Sequence, residues 1–304
     1  MVHSRWIGIL ASGGAIACTL SLATETVAQI IPDNSLGVER SIVTPNIPNP
    51  NGAIDRIEGG AIRGSNLFHS FQDFNVNPLQ RVYFANPSGI ENILGRVTGN
   101  QASQIFGTLG VLGNANLYLV NPNGIVFGKD ARLDIRGSFF ASTSNSLVLE
   151  NGYQFRTDNP TAPPLLTINV RPGLETWLPP QGAIANTGNL SAGQHLTLVG
   201  NNLDLQGQLQ AGGNLTLQAT DTLKIRDTIT DPFIAAAGSQ ILLQGNQKLD
   251  ISALNHPQSG LFAGGNLIVR SANGIRGDTR YTTGGSFSIQ RLDGSAGNLT
   301  SEQD

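Results

Sequence analysis

Short runs of alternating apolar and polar residues recur through the second half of the chain. In one of them, residues 211–214 (AGGN) lead into Leu215-Thr216-Leu217. Successive side chains of a β-strand point to opposite faces, so Leu215 and Leu217 should face a core while Thr216 faces solvent. No stretch of comparable length has the 3.6-residue period of an amphipathic helix. The pattern therefore predicts short β-strands that are separated by turns containing glycine.

This unit of glycine followed by a strand occurs five times. The copies begin at positions 192, 211, 237, 263 and 283, at spacings of 19, 26, 26 and 20 residues. Repeats of this length are typical of solenoids, in which each repeat forms one coil and stacks on the next. Shorter alternating segments fill the intervals and continue upstream, at 201–207, 221–225, 116–120, 132–136 and 146–149.

Stacked coils place equivalent strands side by side in the same direction, so the sheets should be parallel around a column of Leu, Ile and Val. The sequence thus predicts an all-β protein, a right-handed single-stranded parallel β-helix of about a dozen coils. The open edge of the first coil requires an N-terminal cap. Proline lacks the N–H that a central strand donates, so the proline-rich stretch from Asp158 to Pro180 predicts an excursion, with β-hairpins among such excursions.

Composition agrees with this fold and limits the classes of molecule that the protein is expected to bind. Glycine occurs 37 times, and both glycine and asparagine suit tight turns. Charged residues make up 13% of the chain and the net charge is -3. Nucleic acids and anionic membranes attract clustered Lys and Arg, so neither is an expected partner.

The first 28 residues have the order of a secretory signal peptide. Arg5 precedes an uncharged, mostly apolar stretch from Ile7 to Leu22, and small residues end at Ala28, where cleavage is predicted. The apolar stretch is shorter than the ~20 residues of a spanning helix, so no integral membrane segment is expected in the mature chain. Two alternatives remain at this point: an uncleaved anchor, and a lipoprotein that carries its lipid on Cys18, the single cysteine.

The most informative local sequence follows an apolar strand at 117–120. Asn121-Pro122-Asn123-Gly124 fits a type I β-turn, because asparagine suits its first and third positions, proline its second and glycine its fourth. Ile125 then begins the next apolar segment. On turn chemistry alone, these residues are an ordinary connection between two strands.

In its wider context, this pentapeptide resembles the signature of two-partner secretion domains, the N-terminal domains of filamentous-haemagglutinin-like exoproteins, also called haemagglutination activity domains. Further blocks are similar to the landmarks of that family and stand in the same order. They are residues 31–37, 59–76, 82–90 and 93–99. The usual second element of the family, Asn-Pro-Asn-Leu, has no match here; the nearest segments are 86–89 and 49–52.

The resemblance implies a function and a domain order. An outer-membrane barrel with periplasmic POTRA modules would recognise the domain and export the chain through the periplasm, for secretion or display at the cell surface. It implies a signal peptide at 1–28, a secretion domain at 29–175 and further coils at 176–304. The recognition motif would be Asn121 to Ile125. Weaker candidates for transporter contact are Asn86, Pro87, Phe68 and Phe71, although the aromatic cluster, with Phe74, is equally suited to packing in a core or cap. Adhesion through a host or surface receptor or a carbohydrate is the role expected of the exported body.

Catalytic chemistry is not indicated by the sequence. The histidines at 3, 69, 195 and 256 lie far apart and lack carboxylate or cysteine neighbours at metal-ligand spacing, so no metal, cofactor or catalytic residue is predicted. The alternative from another class is a β-helical polysaccharide lyase or hydrolase, or another extracellular carbohydrate-binding protein. Such an enzyme needs paired carboxylates in a groove. The nearest charged group consists of Asp204, Asp221, Lys224, Arg226 and Asp227.

Overall fold

Short strands account for nearly all regular structure, as the alternating pattern predicts. The computed structural model describes residues 30–149, 151–165 and 179–301. One turn of 3-10 helix spans Gly37–Glu39. The strands, in chain order, are β1 (Ile31–Pro32), β2 (Ser41–Ile47), β3 (Ile54–Gly59), β4 (Ala61–Arg63), β5 (Asn66–Asp73), β6 (Arg81–Ala85), β7 (Asn92–Val97), β8 (Ser103–Ile105), β9 (Thr108–Leu112), β10 (Asn116–Val120), β11 (Ile125–Phe127), β12 (Arg132–Asp134), β13 (Phe139–Ser142), β14 (Ser146–Val148), β15 (Gln154–Arg156), β16 (Ala183–Asn186), β17 (Asn189–Ala192), β18 (Leu196–Gly200), β19 (Asn202–Leu205), β20 (Gln208–Ala211), β21 (Leu215–Ala219), β22 (Thr222–Arg226), β23 (Ile234–Ala237), β24 (Ile241–Gly245), β25 (Lys248–Ser252), β26 (Gly260–Ala263), β27 (Leu267–Ser271), β28 (Ile275–Asp278), β29 (Tyr281–Thr283), β30 (Phe287–Gln290) and β31 (Leu299–Thr300).

Three long sheets form the faces of a parallel β-helix. Sheet A contains β5, β7, β10, β13, β18, β21, β24, β27 and β30 in that spatial order, sheet B runs from β3 through β6, β9, β12, β17, β20, β23 and β26 to β29, and sheet C runs from β8 through β11, β16, β19, β22, β25 and β28 to β31. From β16 onward the chain visits sheets C, B and A in turn, and each coil pairs in parallel with the next. The predicted all-β class and the parallel β-helix are confirmed.

The described part of the chain has fewer coils than the predicted dozen. Sheet A has 11 strands among the described residues, and because β1 and β4 are antiparallel to β5, nine of them belong to stacked coils. The cap and a hairpin excursion take up chain without adding a coil, which the average repeat length does not reveal.

Each predicted repeat supplies one strand of sheet A, in register with its neighbours. Leu196, Leu215, Ile241, Leu267 and Phe287 follow one another up the sheet. The inward-facing members up to Leu267 are buried, whereas Thr216, on the outer face, is half-buried. Each buried Leu or Ile in this column contributes roughly 1.5–3 kcal/mol, so alternation and stacking together account for the core.

The repeat glycines are needed for a reason that differs from the predicted one. None of the stacked glycines at 193, 212, 238, 264 and 284 has a positive φ angle. A Cβ placed on any of the last four would lie within 3.0 Å of the carbonyl oxygen of the glycine one coil below. The corner between sheets B and A therefore brings successive backbones too close together for a side chain, and close approach rather than left-handed backbone selects glycine.

Antiparallel segments cover the first coil, as the predicted cap requires. β1 and β4 both pair with the free edge of β5, and β2 pairs with β3 at the edge of sheet B. Paired edges cannot pair with strands of other molecules, so the cap closes sheets A and B at this end of the solenoid. At sheet C, the first coil itself contributes Val76, which forms a parallel bridge with Ile105 of β8.

The outer face of sheet A is apolar in the first coils, unlike the other outer faces. Phe68, Leu94, Val120 and Phe140 point outward and form a second buried cluster. The antiparallel hairpin of β14 and β15 covers them with Leu147, Leu149 and Phe155. We call residues 145–149 and 151–165, which contain this hairpin, the strap. The fold contains a hairpin excursion, as predicted, but the hairpin lies at 146–156, upstream of the proline-rich stretch at 158–180 where an excursion was expected, and residues 146–149 belong to it instead of to a coil. The strap explains why the early strands of sheet A are buried on both faces.

The closing segment, residues 296–300, adds one more strand to sheet C. Leu299–Thr300 pairs in parallel with β28. In the C, B, A order of the chain, this strand follows β30 and is the first strand of a further coil.

We expect Gly238→Ala to destabilise the protein by about 1–3 kcal/mol, because the new methyl group must push adjacent coils apart. Gly274→Ala is the matched control, since nothing lies within 4 Å of a Cβ there. Its free energy of unfolding should stay within about 0.5 kcal/mol of the wild type or rise slightly. Urea denaturation followed by circular dichroism measures both, and equal effects would contradict the close-approach explanation.

His69 predicts a pH dependence of stability. Its ring lies inside the first coil between Phe71 and Phe84, with Nδ1 3.0 Å from Ser41 Oγ. Burial lowers its pKa from 6.5 to about 3. The folded state therefore keeps the ring neutral while the unfolded state binds a proton below pH 6.5, so its contribution is complete above pH 6.5 and is lost as the pH falls towards 3.

The expected result is that the stability advantage of the wild type over His69→Gln shrinks by at most about 1.4 kcal/mol per pH unit between pH 6 and pH 4. Urea titrations of both proteins at pH 7, 6, 5 and 4 provide the measurement. A difference that does not change with pH would show that the ring is not buried in its neutral form.

Candidate functional site

The predicted turn lies at a corner where the chain passes from sheet A to sheet C. Gly124 N donates to Asn121 O at 3.2 Å, and Asn123 N donates to Asn121 Oδ1 at 3.0 Å. Gly124 has a φ of +120°, which glycine adopts without strain. Ile125 follows at once as the buried first residue of β11. The β-turn that the residue types predict is therefore present.

Asn121 joins this corner to the coil that precedes it. The side chain is buried, and its Nδ2 donates to Gln101 O at 2.9 Å and to Ser103 Oγ at 3.0 Å. Its Oδ1 also accepts from Asn123 Nδ2 at 3.1 Å. A buried amide with every polar atom paired stabilises one arrangement of the corner, because any alternative leaves donors or acceptors unpaired.

The coil that follows holds the turn from its other side. Asn121 N donates to Ser142 O at 3.0 Å. A Cβ on Gly182 would lie within 3.0 Å of both Gly124 N and Pro122 O. The backbone of the turn is thus enclosed between two coils, and little of it can move without disturbing them.

Only the middle of the turn reaches the surface. Pro122 is half-buried and Asn123 is exposed, with Asn123 Nδ2 donating to Gly99 O at 2.8 Å. Beside them lies an open groove of about 730 Å³. Its walls come from three parts of the chain: Asp33 near the N-terminus, Asn123 of the turn and Asp158 of the strap. The groove is polar and has acidic side chains on two sides.

The same corner recurs near the end of the solenoid with a related sequence. Ser271-Ala272-Asn273-Gly274-Ile275 connects β27 to β28, and Asn273 Nδ2 donates to Gln247 O of the preceding coil at 2.8 Å. Ser271 occupies the place of Asn121, but its Oγ has no hydrogen-bond partner among the described residues. The exposed asparagine is therefore shared by these two corners, and the fully bonded Asn121 distinguishes the turn at 121–124.

The aromatic candidates for transporter contact are buried in the folded domain, so they do not form an exposed contact surface there. Phe71 and Phe74 lie inside the first coil at a ring separation of 5.0 Å, and both pack on Phe84. Phe68 faces outward from sheet A but packs edge-on against Phe155 of the strap at 5.0 Å. Core and cap packing, the other predicted interpretation, accounts for all of them.

Asn86 and Pro87 lie at a different corner, between sheets B and A. Asn86 Oδ1 accepts from Asn114 N and Ala115 N, both at 3.1 Å, so this side chain links two coils. Pro87 is exposed. Asn86 and Pro87 therefore lie at a different corner from the turn at 121–124, and the structure does not bring the two segments together into one site.

A network around Arg96, which sequence reasoning missed, lies beside the groove. The guanidinium is fully buried, and its Nε donates to Ser70 Oγ at 2.9 Å while Nη2 donates to Ser35 Oγ at 2.7 Å. On the strap side, Nη1 donates to Arg156 O at 2.9 Å, and the group stands 4.1 Å from the ring centre of Phe155. Burial lowers the pKa of Arg96 to about 10, and the charge of Asp33 opposes that shift.

Asp33 carries a negative charge near this network. None of the described contacts joins its carboxylate to the Arg96 guanidinium. Its carboxylate accepts from Ser70 Oγ at 2.7 Å, from Thr98 Oγ1 at 2.6 Å and from Ser35 N at 2.8 Å. Burial raises the pKa of Asp33, but these hydrogen bonds outweigh burial and hold it below its usual value. The N-terminal segment is thereby fixed to β5 and β7.

A second arginine connects the same parts of the chain. Arg63 is buried and forms a two-pronged pair with Glu39, at 2.9 Å and 2.7 Å. Its Nε donates to Pro163 O of the strap at 2.9 Å. The hydrogen-bonded pair lowers the pKa of Glu39.

In the sequence, the available signal for Arg96 was a single charge within the otherwise apolar strand 93–97.

The charged group considered for a carbohydrate-processing site is engaged in structural contacts. Lys224 Nζ lies 3.1 Å from Asp204 Oδ2 on adjacent strands, and Arg226 pairs with Asp250 at 2.9 Å. Asp227 accepts from Ser259 Oγ at 2.6 Å and fixes the 255–259 loop. Across the described ranges, no cluster of three or more His, Cys, Asp or Glu residues could hold a metal ion.

Some predictions fall on parts of the chain that the structure does not describe. They are the signal peptide at 1–28, its cleavage at Ala28, the role of Cys18 and the domain boundary at 175. Within residues 30–149, 151–165 and 179–301, no helix is long and apolar enough to cross a membrane.

Comparison with known proteins gives a family match across most of the chain. The family model described as the TPS secretion domain matches residues 28–289. Among curated relatives, a heme/hemopexin-binding protein of Haemophilus influenzae (strain KW20 / Rd) is 26% identical over 167 residues, which cover 55% of this chain and 17% of that protein. A second H. influenzae protein of the same name is 31% identical over 87 residues, covering 28% of this chain and 9% of its own length.

Solved structures with some similarity include two secretion domains. That of filamentous hemagglutinin has 18% identity and a TM-score of 0.48, with coverage of 90% of this chain and 97% of that one. The HMW1 secretion domain from H. influenzae has 16% identity and a TM-score of 0.42, covering 87% and 80%. The chain spans less than a fifth of the length of the curated relatives.

The geometry of the corner predicts unequal effects of its two asparagines on stability. Asn121→Ala should lower the free energy of unfolding by about 1–3 kcal/mol, because it removes the bonds to Gln101 O and Ser103 Oγ and leaves buried groups unpaired. Asn123→Ala should change it by no more than about 0.5 kcal/mol, since that side chain is exposed. Urea denaturation of both variants tests this, and equal losses would contradict the assignment of Asn121 as the buried anchor.

Proposed function

The chain belongs to the TPS secretion domain family, the secretion domains of exoproteins in two-partner secretion, and on that premise we propose that Asn121–Ile125 is the motif through which a transporter recognises it. The transporter is an outer-membrane barrel with periplasmic POTRA modules. It carries the chain from the periplasm to the cell surface or the medium. The match over residues 28–289 supports the export role, and the corner geometry supports the choice of motif.

The choice of motif rests on one observation: Asn121 and Asn123 have different roles within the turn. Asn121 is buried and fully bonded, so it serves the fold. Asn123 is exposed beside the polar groove, and the fold needs it little. Because the fold needs Asn123 little, a substitution there leaves folding nearly unchanged and reports on contact with the transporter, and we propose Pro122 and Asn123 as the contact residues.

The solenoid suits export of an unfolded chain followed by folding outside. Apart from the strap, nearly all strand pairings join one coil to the next. Folding can therefore advance from the capped end as the chain emerges, without waiting for distant segments. Since each added coil buries apolar residues, the free energy of folding outside opposes return of the chain to the periplasm.

We also propose a non-enzymatic, adhesive role for the exported coils. A shallow groove of about 570 Å³ follows the glycine corner from Ser191 to Thr282, with Phe262 at its surface. An extended ligand such as a carbohydrate chain, or a loop of a surface receptor, fits such a shape. The family is one of secretion domains, which supports binding rather than catalysis.

A secretion assay tests the motif. The chain is expressed in a Gram-negative host with and without a two-partner transporter, and the protein in the medium is compared with that in the periplasm. We expect export to require the transporter and to fall at least about tenfold in Asn123→Ala, as expected when an interface contact worth about 1.4 kcal/mol is lost. Asn273→Ala is the matched control, because that residue makes the same bond at the same corner.

Other outcomes would count against the proposal in different ways. Equal export of Asn123→Ala and the wild type would remove Asn123 as a contact. If Asn121→Ala alone fails, and its loss of export follows its loss of stability, the motif acts through folding. Export that does not depend on the transporter would contradict the two-partner function itself.

A further inference from the structure

Among the strands that the structure describes, those of the strap differ from all others in how they are attached. Its strands β14 and β15 form a two-stranded sheet of their own and, among the described residues, pair with no coil. An isolated hairpin is at most marginally stable in water. Its stability therefore has to come from what lies beneath it.

Two kinds of contact hold the strap in place. One is the apolar cluster on the outer face of sheet A, where Leu147, Leu149 and Phe155 pack on Phe68 and Leu94 and their neighbours. The other is a pair of buried arginines, which donate to strap carbonyl oxygens.

Each arginine holds the strap and the N-terminal segment at once. Arg96 donates to Arg156 O and Thr161 O of the strap and to Ser35 Oγ. Arg63 donates to Pro163 O while it pairs with Glu39. Donors shared in this way join two segments that are more than 100 residues apart in the sequence, and neither segment pairs its backbone with the other.

We propose that the strap is a separately opening lid, locked by Arg63 and Arg96, whose closure completes the N-terminal half of the solenoid after its coils have stacked. Opening the lid breaks side-chain contacts and arginine bonds but no pairing between coils. It exposes the apolar outer face of sheet A and removes the Asp158 wall of the groove beside Asn123.

The position of the strap after β7 and β13 in the sequence predicts when the lid closes during export. This timing rests on the proposed function. Arg96 lies on β7, whereas its strap acceptors lie 60 and 65 residues further along the chain. In a chain that emerges N-terminus first, the coils up to β13 can stack before the strap is available. The apolar face then stays uncovered until residue 161 has emerged.

Native-state hydrogen exchange of the purified protein tests the lid without any transporter. In the wild type at low urea, the amides of Leu149 and Thr157, which bond to Tyr153 O and Asn145 O within the strap, should exchange through an opening that leaves β21 and β24 protected. If the strap and these coils exchange through one common opening, the proposal is overturned. This measurement needs no variant.

Substitution of the locking arginines gives the second measurement. Arg96→Met and Arg63→Met should each speed exchange in the strap by about tenfold or more, the equivalent of one charge-assisted hydrogen bond, and leave β21 and β24 unchanged. Arg270→Met is the matched control: Arg270 also lies on the outer face of sheet A, but it bonds to Gln290. Faster exchange throughout the molecule, or no change in the strap, would overturn the proposal.

Discussion

Hydrogen bonding between stacked coils is the interaction on which the rest of the structure depends. Every coil between the first and the last obtains its backbone partners from the coils above and below, at the spacing of about 4.8 Å that a sheet imposes. That spacing forces glycine into the corner between sheets B and A, where a Cβ would meet the carbonyl group of the preceding coil. It also lines up the inward Leu and Ile residues into one continuous core. The repeated unit of glycine followed by an alternating strand is the result of this one constraint, the spacing between stacked coils.

The first coils face a problem that the later ones do not, because a solenoid has to begin somewhere. β1, β2 and β4 pair with the open edges in the antiparallel sense, and phenylalanines fill the space within the first coil. The apolar outer face of sheet A then needs a cover, and the strap supplies it. Arg63 and Arg96 connect the cover to the cap, so the two exceptional parts of the fold stabilise each other.

The proposed recognition motif lies within this reinforced part of the molecule. The coils on either side hold the turn at 121–124, while the cap and the strap form the walls of the groove beside it. The corresponding corner at 271–275 keeps an exposed asparagine, but Ser271 stands in the place of Asn121 and its Oγ has no hydrogen-bond partner among the described residues. A short sequence therefore acquires a distinct surface from its position along the solenoid as well as from its own residues.

Local patterns in the sequence were enough to predict the strands, the parallel coils, the need for a cap and the β-turn at Asn121–Gly124. Each of these follows from alternation, repeat length or turn chemistry, which act between residues close together in the chain. The tertiary structure alone decided that Asn121 is buried while Asn123 is exposed, that Phe68 and Phe71 are packed rather than presented, and that Arg96 links the cap to the strap. Those outcomes depend on partners some 20 to 65 residues away, such as Gln101 O and Thr161 O. Only the stacking of coils brings such groups within hydrogen-bonding distance, so no local pattern could have revealed them.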